Sequence, residues 1–323
     1  MTAAAGPVTE VVRAGGPHVP GLLRAVERRL GELACGHGAD LAVHAGATIA
    51  AGGKRLRPLL VFLAAGDEDG DGVVRAATAV ELVYSATLVH DDVLDAAALR
   101  RGLPTVVATA GRAAAIATGD LLFARAFAEL ARNGRADEIR VLSDAGSALA
   151  RGELLQRADA WDASVTLERY ERRCELKTGR LFASACRLGA LEGGGDADAL
   201  AVFGARIGLA FQLLDDVLDV SGPAERTGKC RGTDLLDGTI TLPFVLARED
   251  DAELAALDPR TIADPATAED VCDRIQATGA LERVRARALG FVEAAKAALP
   301  PQLRARRRRV FELVADGVVA RSA

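Results

Sequence analysis

The pentapeptide Asp-Asp-Val-Leu-Asp occurs twice in this sequence, at residues 91–95 and again at residues 215–219. Residues four apart lie on the same face of a helix, so each copy puts its first and last aspartates side by side. Both copies interrupt apolar runs, which predicts two long helices that each carry a carboxylate pair. Such a pair is costly unless a cation neutralises it, and Mg²⁺ prefers oxygen ligands and usually binds together with phosphate.

Basic residues follow each acidic pentapeptide, Arg100-Arg101 after the first copy and Lys229 after the second. Carboxylates that hold Mg²⁺, next to Arg and Lys that meet phosphate oxygens, indicate a metal-bridged diphosphate. Lysine is rare in the chain, and a compact ammonium group is not interchangeable with a guanidinium at a crowded phosphate. The lysines that stand beside glycine or threonine are Lys54, Lys177 and Lys229.

Composition narrows the class of protein. Half of the 323 residues are hydrophobic and only 4% are aromatic, which favours helices. The net charge of −5 provides no basic surface for nucleic acid. The five cysteines form no Cys-x-x-Cys pair, as in a reduced, cytoplasmic protein. No uncharged apolar stretch reaches the roughly 18 residues of a membrane span, so we expect a soluble protein.

Apolar periodicity, broken by Gly, Pro and Asp clusters, predicts helices and no convincing strand. We therefore expect an all-α fold: a loose N-terminal segment over residues 1–20, then one helical domain over residues 21–323. The predicted helices lie near residues 21–34, 38–51, 56–66, 73–99, 112–132, 136–159, 166–190, 196–220, 240–248, 266–277, 280–298 and 301–321.

Seven motifs in a fixed order make this sequence similar to the trans (E) isoprenyl diphosphate synthase family, from about residue 52 to residue 243. They are Gly53-Lys54-Arg55-Leu56-Arg57-Pro58, His90 to Asp95 with Arg100-Arg101-Gly102, Gly119-Asp120, Gly152 to Gln156, Lys177-Thr178-Gly179, Phe211 to Asp219, and Gly228-Lys229. The resemblance implies a bundle of ten or more helices around a central cavity, normally a homodimer. It implies head-to-tail condensation of isopentenyl diphosphate with an allylic diphosphate.

The resemblance also implies a role for individual residues. Those that match the ligands of a Mg²⁺ cluster, three ions with substrate bound, are Asp91, Asp95 and Asp215. Those that would support them are Asp92, Asp216 and Asp219. Those that would hold isopentenyl diphosphate are Lys54, Arg57, Tyr84 and Arg101. Those that would hold the allylic diphosphate are Arg100, Lys177, Thr178, Gln212 and Lys229. Within this last set, the residues that would act in catalysis are Lys177, Thr178, Gln212 and Lys229.

Two positions depart from the family pattern. Tyr84 stands where members usually have His or Gln in contact with isopentenyl diphosphate. Its hydroxyl can still donate a hydrogen bond, or its ring can pack beneath Asp91. Thr239 stands where many members carry a lysine after Asp237-Gly238, which removes one expected contact with the allylic diphosphate.

Product length in the family depends on the side chains below the first acidic motif. One helical turn spans about 5.4 Å, close to the length of an isoprene unit. The small or slim residues Val83, Ala86 and Thr87 leave space there, and Phe123 and Phe127 would form either a floor or ordinary core. The sequence thus predicts a long-chain product; geranylgeranyl or farnesyl diphosphate is the alternative.

Three other classes of protein remain as alternatives. A class I terpene cyclase would carry a different second metal motif, and a non-catalytic subunit of a heteromeric synthase would lose an acidic motif or basic contacts. A purely structural helical protein leaves the lysine positions unexplained. As partners we expect the two diphosphate substrates and a second copy of the chain, with no nucleic acid, no membrane span and at most weak membrane association for product release.

Overall fold

The computed structural model describes residues 7–35, 37–222 and 231–320, and these are helical almost throughout, which confirms the all-α prediction. The chain divides into two compact units. The first comprises Met1–Ser147, Leu181–Gly204 and Ala298–Val314, and the second comprises Ala148–Arg180, Ala205–Ala297 and Ala315–Ala323. The single domain expected from the sequence stays a prediction.

The helices follow one another with short connections. In chain order they are α1 (Pro7–Gly15), α2 (Val19–Ala34), α3 (Ala39–Ala50), α4 (Leu56–Ala65), α5 (Asp71–Leu94), α6 (Val106–Ala131), α7 (Ala136–Ala158), α8 (Leu167–Cys174), α9 (Arg180–Glu192), α10 (Ala197–Ser221), α11 (Thr233–Leu236), α12 (Leu242–Asp250), α13 (Ala252–Ala256), α14 (Pro265–Ala277), α15 (Ala280–Ala297) and α16 (Ala305–Val319).

The core of the first unit is built on α5, which packs along α6 and also contacts α2, α3 and α4. Helix α5 is buried on most sides, because small and slim residues such as Ala79, Val80 and Ala86 let its neighbours approach closely. Asp71 lies in its first turn, where a negative charge favours the helix dipole. The first acidic motif lies at the other end of α5.

The sequence predicted a C-terminal end of α5 that is too far along the chain. Helix α5 ends at Leu94 instead of residue 99, and a two-stranded hairpin of β1 (Leu99–Arg100) and β2 (Leu103–Pro104) follows it. The hairpin turn requires two consecutive positive φ angles, 53° at Arg101 and 77° at Gly102. Thr105 then caps a short helical segment that starts at Val106, by accepting a hydrogen bond from Ala108. The backbone leaves helical geometry at Gly111, with φ 83° and ψ 173°, so the long part of α6 begins after this kink, at the predicted residue 112.

The N-terminal expectation was also wrong where the structure describes that segment. Residues 7–15 form α1, and α2 begins at Val19. Val11 and Val19 are buried, at 4% and 0% exposure, so this segment belongs to the core of the first unit. The sequence did not predict α1, because its apolar pattern is short and the Gly-Gly-Pro sequence at its C-terminal end is typical of a loop.

The second unit contains a feature that periodicity does not reveal. Between α8 and α9, residues Glu175–Gly179 form one turn of π-helix, a widening that is frequent at functional sites. Helices α11 and α13 and a 3₁₀ turn at Pro259–Thr261 were not predicted either, because each is five residues or shorter. Helix α12 packs against α15, and α11 against α14.

Three helices, α5, α6 and α10, are long and apolar enough to cross a membrane if length and composition alone are considered. Two of them, α5 and α10, also carry the acidic motifs. The expectation of no membrane span therefore stays a prediction.

Candidate active site

The first acidic motif closes α5 with carboxylates in different environments. Asp95 is exposed and Asp91 half-buried, whereas Asp92 is buried. The Asp92 carboxylate accepts a 2.7 Å hydrogen bond from Nε of Arg100, which reaches back from the hairpin. Arg100 was predicted to bind the allylic diphosphate; in this structure its guanidinium lies on Asp92. The motif thus presents its outer aspartates and anchors its middle one.

His90, immediately before the motif, fixes α5 against α6. Its ring stacks on Phe123 with 5.9 Å between the ring centroids, and its Nε2 lies 3.4 Å from the carboxylate of Asp120. A methyl group at Gly119 would lie 2.2 Å from the same Nε2, so only glycine leaves room for this ring. Phe123, predicted as a floor residue or a core residue, therefore supports His90. Sequence reasoning noted the motif Gly119-Asp120 but did not find this role.

The basic turn before α4 lies next to the hairpin. A methyl group at Gly53 would lie 3.1 Å from Nη1 of Arg101, so the Arg101 guanidinium rests on this glycine. Lys54, the next residue, is exposed, as is Arg101. The structure thus brings Arg101 to the turn that carries Lys54, two residues that the sequence assigned to the same diphosphate.

Arg57 and Tyr84, from the same predicted set, are in direct contact. The Arg57 guanidinium lies 3.7 Å from the centroid of the Tyr84 ring and 4.7 Å from that of Phe182, an arrangement that favours a cation over aromatic faces. Its Nε is buried and has no hydrogen-bond partner within the described part of the chain. Tyr84 therefore supports Arg57 with its ring face, a role that the sequence did not suggest.

The second acidic motif, on α10, repeats the pattern of the first. Asp215 is exposed and Asp219 half-buried, whereas Asp216 is 2% exposed. Asp216 accepts hydrogen bonds from the hydroxyl of Tyr170 at 2.5 Å and from Nε2 of Gln212 at 2.9 Å. Burial raises the pKa of Asp216 to about 7, and the neighbouring charge of Asp215 adds to this, while the two hydrogen bonds oppose it.

The π-helical turn presents Lys177 and Thr178. Nζ of Lys177 donates to Glu153 at 2.5 Å and lies 3.3 Å from Oε1 of Gln156, both on α7. Burial acts to raise the pKa of Glu153, but Lys177 and Arg157 together outweigh it and the pKa is lowered. A methyl group at Gly152 would lie 2.7 Å from the backbone nitrogen of Lys177, so Gly152 permits the close approach. The motif from Gly152 to Gln156 thus anchors Lys177.

A chain of hydrogen bonds joins this turn to the second motif. Thr178 donates to Oε1 of Gln212 at 2.8 Å, and Gln212 in turn donates to Asp216. Two catalytic candidates, Thr178 and Gln212, are therefore in contact. Tyr170, which completes the chain, was not identified from the sequence, because a single tyrosine on α8 carries no recognisable spacing.

The end of the second motif organises the segment that follows. Asp219 accepts a hydrogen bond from the backbone nitrogen of Asp234 at 3.2 Å, at the start of α11. The backbone nitrogen of Thr239 donates to the carbonyl of Asp234 at 2.8 Å, so this unusual residue closes the same loop. Lys229, the remaining predicted catalytic residue, lies outside the described residues.

The residues predicted to set product length lie along α5 and α6. Val83 and Ala86 are fully buried, and Thr87 is half-buried and donates to the carbonyl of Tyr84 at 2.7 Å. Phe127 is half-buried on α6. The three α5 residues of this set, Val83, Ala86 and Thr87, are small or slim, as the sequence showed.

The aspartates fit Mg²⁺ by their chemistry. Within residues 7–35, 37–222 and 231–320, no group of three or more His, Cys, Asp or Glu side chains is placed to hold a metal ion by itself. Mg²⁺ is commonly bound through one or two carboxylates together with water and substrate phosphates, so accessible carboxylates such as those of Asp91, Asp95 and Asp215 suit it.

Comparison with known proteins agrees with these features. The family described as polyprenyl synthetase matches residues 40–277. The heptaprenyl diphosphate synthase component 2 of Geobacillus stearothermophilus is 40% identical over 270 residues, which cover 81% of each chain. The octaprenyl diphosphate synthase of Escherichia coli is 36% identical over 260 residues, covering 78% of this chain and 80% of that one.

Among solved structures, the polyprenyl synthase of Caulobacter crescentus, crystallised with calcium and isoprenyl diphosphate, superposes with a TM-score of 0.89 at 35% identity, covering 99% of this chain and 100% of that one. Fold and relatives define a transferase of prenyl groups, as the sequence predicted. The chain belongs to the polyprenyl synthetase family.

Proposed function

We propose that this enzyme is a Mg²⁺-dependent trans-prenyltransferase that condenses isopentenyl diphosphate head-to-tail with an allylic diphosphate and makes a linear, long-chain polyprenyl diphosphate. The observation that carries the proposal is the repeated acidic motif with accessible outer aspartates. Relatives named as heptaprenyl and octaprenyl diphosphate synthases support a long chain. We further propose a cytoplasmic homodimer.

In this proposal Lys54, Arg57 and Arg101 bind the diphosphate of isopentenyl diphosphate. Lys54 and Arg101 are exposed and belong to adjoining turns, and the Arg57 guanidinium is held flat on Tyr84. Such preorganised cations bind phosphate oxygens without reorganising, which fixes the position of the double bond that reacts.

The allylic diphosphate is bound by Arg100, Lys177 and Lys229. Asp91, Asp95 and Asp215 would hold Mg²⁺, which supplies positive charge that makes diphosphate a better leaving group. Lys177 is fixed by Glu153, so its ammonium group is in place before the leaving group gains negative charge.

The reaction replaces a carbon–oxygen bond with a carbon–carbon bond and moves one proton from carbon to oxygen. The bond between the allylic carbon and the diphosphate oxygen breaks, and the electron pair leaves with the diphosphate. The double bond of isopentenyl diphosphate attacks the allylic cation, and the proton then lost passes to the departed diphosphate. Thr178 and Gln212 line the position of the cation, and surrounding apolar side chains exclude water that would capture it.

The experiment that tests this proposal compares the wild type with the variants Asp91→Asn and Asp95→Asn. We expect turnover of isopentenyl diphosphate with an allylic primer to require Mg²⁺ and to fall at least about 100-fold in either variant, because each loses a charge that holds the cation. Thermal unfolding checks that the variants are folded. Equal activity in wild type and variants would contradict the proposed metal site.

A second candidate function is that of a subunit of a heteromeric synthase, which is not catalytic without its partner. It is favoured by one finding, the similarity to a relative that is named as component 2 of a heptaprenyl diphosphate synthase. Turnover by the purified chain alone separates the two candidates: a subunit would be inactive until a second component is added.

A further inference from the structure

Arg55, to which the sequence gave no role, adopts a strained backbone conformation inside the basic turn. Its φ and ψ are 45° and 39°, in the left-handed region that residues other than glycine rarely occupy. Lys54 precedes it, and Arg57 follows two residues later. Since a non-glycine residue adopts this conformation at a cost in free energy, other contacts must hold it there.

The Arg55 guanidinium makes those contacts with three helices. Nε and Nη2 donate to the two carboxylate oxygens of Glu27 on α2, at 2.6 and 3.0 Å. Nη1 donates to Glu81 on α5 at 2.7 Å, and Nη2 also donates to the carbonyl of Ile49 on α3 at 3.1 Å. The side chain of Arg55 is 9% exposed and that of Glu81 is 4% exposed.

This environment makes Arg55 different from Lys54, its neighbour in the turn, and from Arg101 in the adjacent hairpin. Two carboxylates neutralise it, and its donors are committed to four hydrogen bonds within the protein. Lys54 and Arg101, by contrast, are exposed. A phosphate would have to displace two carboxylates to reach Arg55, so Arg55 is not a substrate ligand.

Helix α5 also contacts Arg57, through Tyr84, one turn after Glu81 on the same face of the helix. Tyr84, whose ring carries the Arg57 guanidinium, lies three residues after Glu81, and residues three apart are neighbours on a helix surface. Glu81 and Tyr84 thus fix the two ends of the segment from Arg55 to Arg57.

We propose that Arg55 is a positioning residue which, with Glu27 and Glu81, clamps the basic turn so that Lys54 and Arg57 meet the diphosphate of isopentenyl diphosphate. This inference rests on the proposed function. The clamp should act on one substrate, because the hydrogen bonds of Arg55 go to Glu27, Glu81 and Ile49, none of which is assigned to the allylic diphosphate. An ion pair that only stabilised the fold would affect the binding of both substrates alike.

The chain offers a matched control. Arg29, also on α2, forms the same kind of double pair: Nε and Nη2 donate to the two carboxylate oxygens of Glu129 at 2.8 and 2.7 Å, and Nη1 donates to Glu32 at 2.8 Å. Glu129 is 2% exposed, like the 4% of Glu81, whereas the Arg29 side chain is 28% exposed against 9% for Arg55, so the two pairs match in the burial of the carboxylate. Arg29→Met therefore removes a comparable ion pair without touching the basic turn.

The experiment measures Arg55→Met and Arg29→Met alongside the wild type. Calorimetric titration with isopentenyl diphosphate in the absence of primer gives Kd, and steady-state assays give KM for each substrate. We expect Arg55→Met to raise Kd and KM for isopentenyl diphosphate by about tenfold or more, because misplaced binding groups lose much of their effect. KM for the allylic diphosphate should change less than about twofold, and Arg29→Met should leave both values unchanged within that range.

Glu81→Gln provides a second variant that keeps the shape of the side chain and removes its charge. It should raise Kd for isopentenyl diphosphate in the same direction, and it decides the question if Arg55→Met does not fold. Binding equal to that of Arg29→Met, or a parallel rise of KM for both substrates, would overturn the clamp. A wild type that neither binds nor consumes isopentenyl diphosphate would overturn the proposed function itself, and the clamp with it.

Discussion

At the scale of single residues, the middle aspartate of each acidic motif has a structural task and the outer aspartates remain accessible. Asp92 is held by Arg100, and Asp216 by Tyr170 and Gln212. Both middle aspartates are buried. A buried carboxylate with fixed hydrogen bonds fixes the rotation of the helix turn that carries it. The first and last aspartates of the motif, on the same turn, therefore have a defined orientation.

Tyr170 should therefore matter although it belongs to no recognisable motif. In Tyr170→Phe, Asp216 loses a 2.5 Å hydrogen bond while its second bond, from Gln212, remains. A hydrogen bond contributes about 0.5–1.5 kcal/mol between neutral groups and about 1.5–3 kcal/mol to a charged group, and the pKa of Asp216 is about 7, so at neutral pH we expect the free energy of unfolding to fall by about 1–3 kcal/mol and turnover to fall several-fold. Urea unfolding and kcat measure the two effects. A variant with unchanged kcat would show that Asp216 does not need this partner.

Glu138 should make stability depend on pH. It is fully buried in the first unit, accepts a hydrogen bond from Asn133 at 2.8 Å and lies beside Glu192, with Arg135 3.6 Å away. Burial and the carboxyl of Glu192 raise its pKa from 4.5 to about 8. The folded state thus holds a proton that the unfolded state releases, so this contribution is complete below about pH 4.5 and is lost as pH rises through about 8.

Glu138→Gln removes that titration. Relative to the wild type, the variant should become more stable as pH rises from about 5 to about 9, by several kcal/mol and at most about 5 kcal/mol, since the pKa rises from 4.5 to about 8 and one pKa unit corresponds to about 1.4 kcal/mol. Urea unfolding at several pH values gives this difference. Glu282→Gln is the control for the loss of a surface carboxyl group, because that side chain is 70% exposed. A difference that stays constant with pH would contradict the assignment.

At the scale of elements, glycine decides how closely two helices of the first unit approach. A methyl group at Gly189 on α9 would lie 2.0 Å from the backbone oxygen of Val61 on α4, an atom that cannot move without shifting the helix. Gly189→Ala should therefore lower the free energy of unfolding by about 1–3 kcal/mol. Gly31→Ala on α2, where nothing lies within 4 Å, should instead raise it by about 0.5–1 kcal/mol. Equal effects in urea unfolding would contradict the close approach.

The long helices could be predicted from the sequence, whereas the short irregular elements could not. Hydrophobic periodicity and helix-breaking residues predicted both ends of α7, α10 and α15 to within one residue, because each helix is long and bounded by turn residues. The hairpin after α5 depends on a positive φ at Arg101, which sequence patterns do not indicate for an arginine. The π-helical turn depends on contacts of Lys177 and Gly152 with each other, which are distant in sequence.

For the candidate site, too, the sequence predicted some residues and missed others. The motifs identified Arg57, Lys177 and Gln212, whose contacts the structure then describes. The residues that hold them could not be found in this way: Arg55 is one basic residue among several in its motif, and Tyr170 is an isolated aromatic. Their roles depend on partners on other helices, which only the folded structure brings together.

At the scale of the whole molecule, the central claim is that this chain alone elongates an allylic diphosphate well beyond geranylgeranyl diphosphate. The small or slim side chains of Val83 and Ala86, together with the relatives named as heptaprenyl and octaprenyl diphosphate synthases, support this claim. The claim joins both acidic motifs, the basic turn and product length in a single reaction.

The most direct test incubates the purified chain with Mg²⁺, labelled isopentenyl diphosphate and, separately, dimethylallyl, geranyl, farnesyl and geranylgeranyl diphosphates, and resolves the products by length. We expect Mg²⁺-dependent products several isoprene units longer than geranylgeranyl diphosphate. Products that end at farnesyl or geranylgeranyl diphosphate would contradict the long-chain assignment, and no product from any primer would contradict a synthase that acts without a second component.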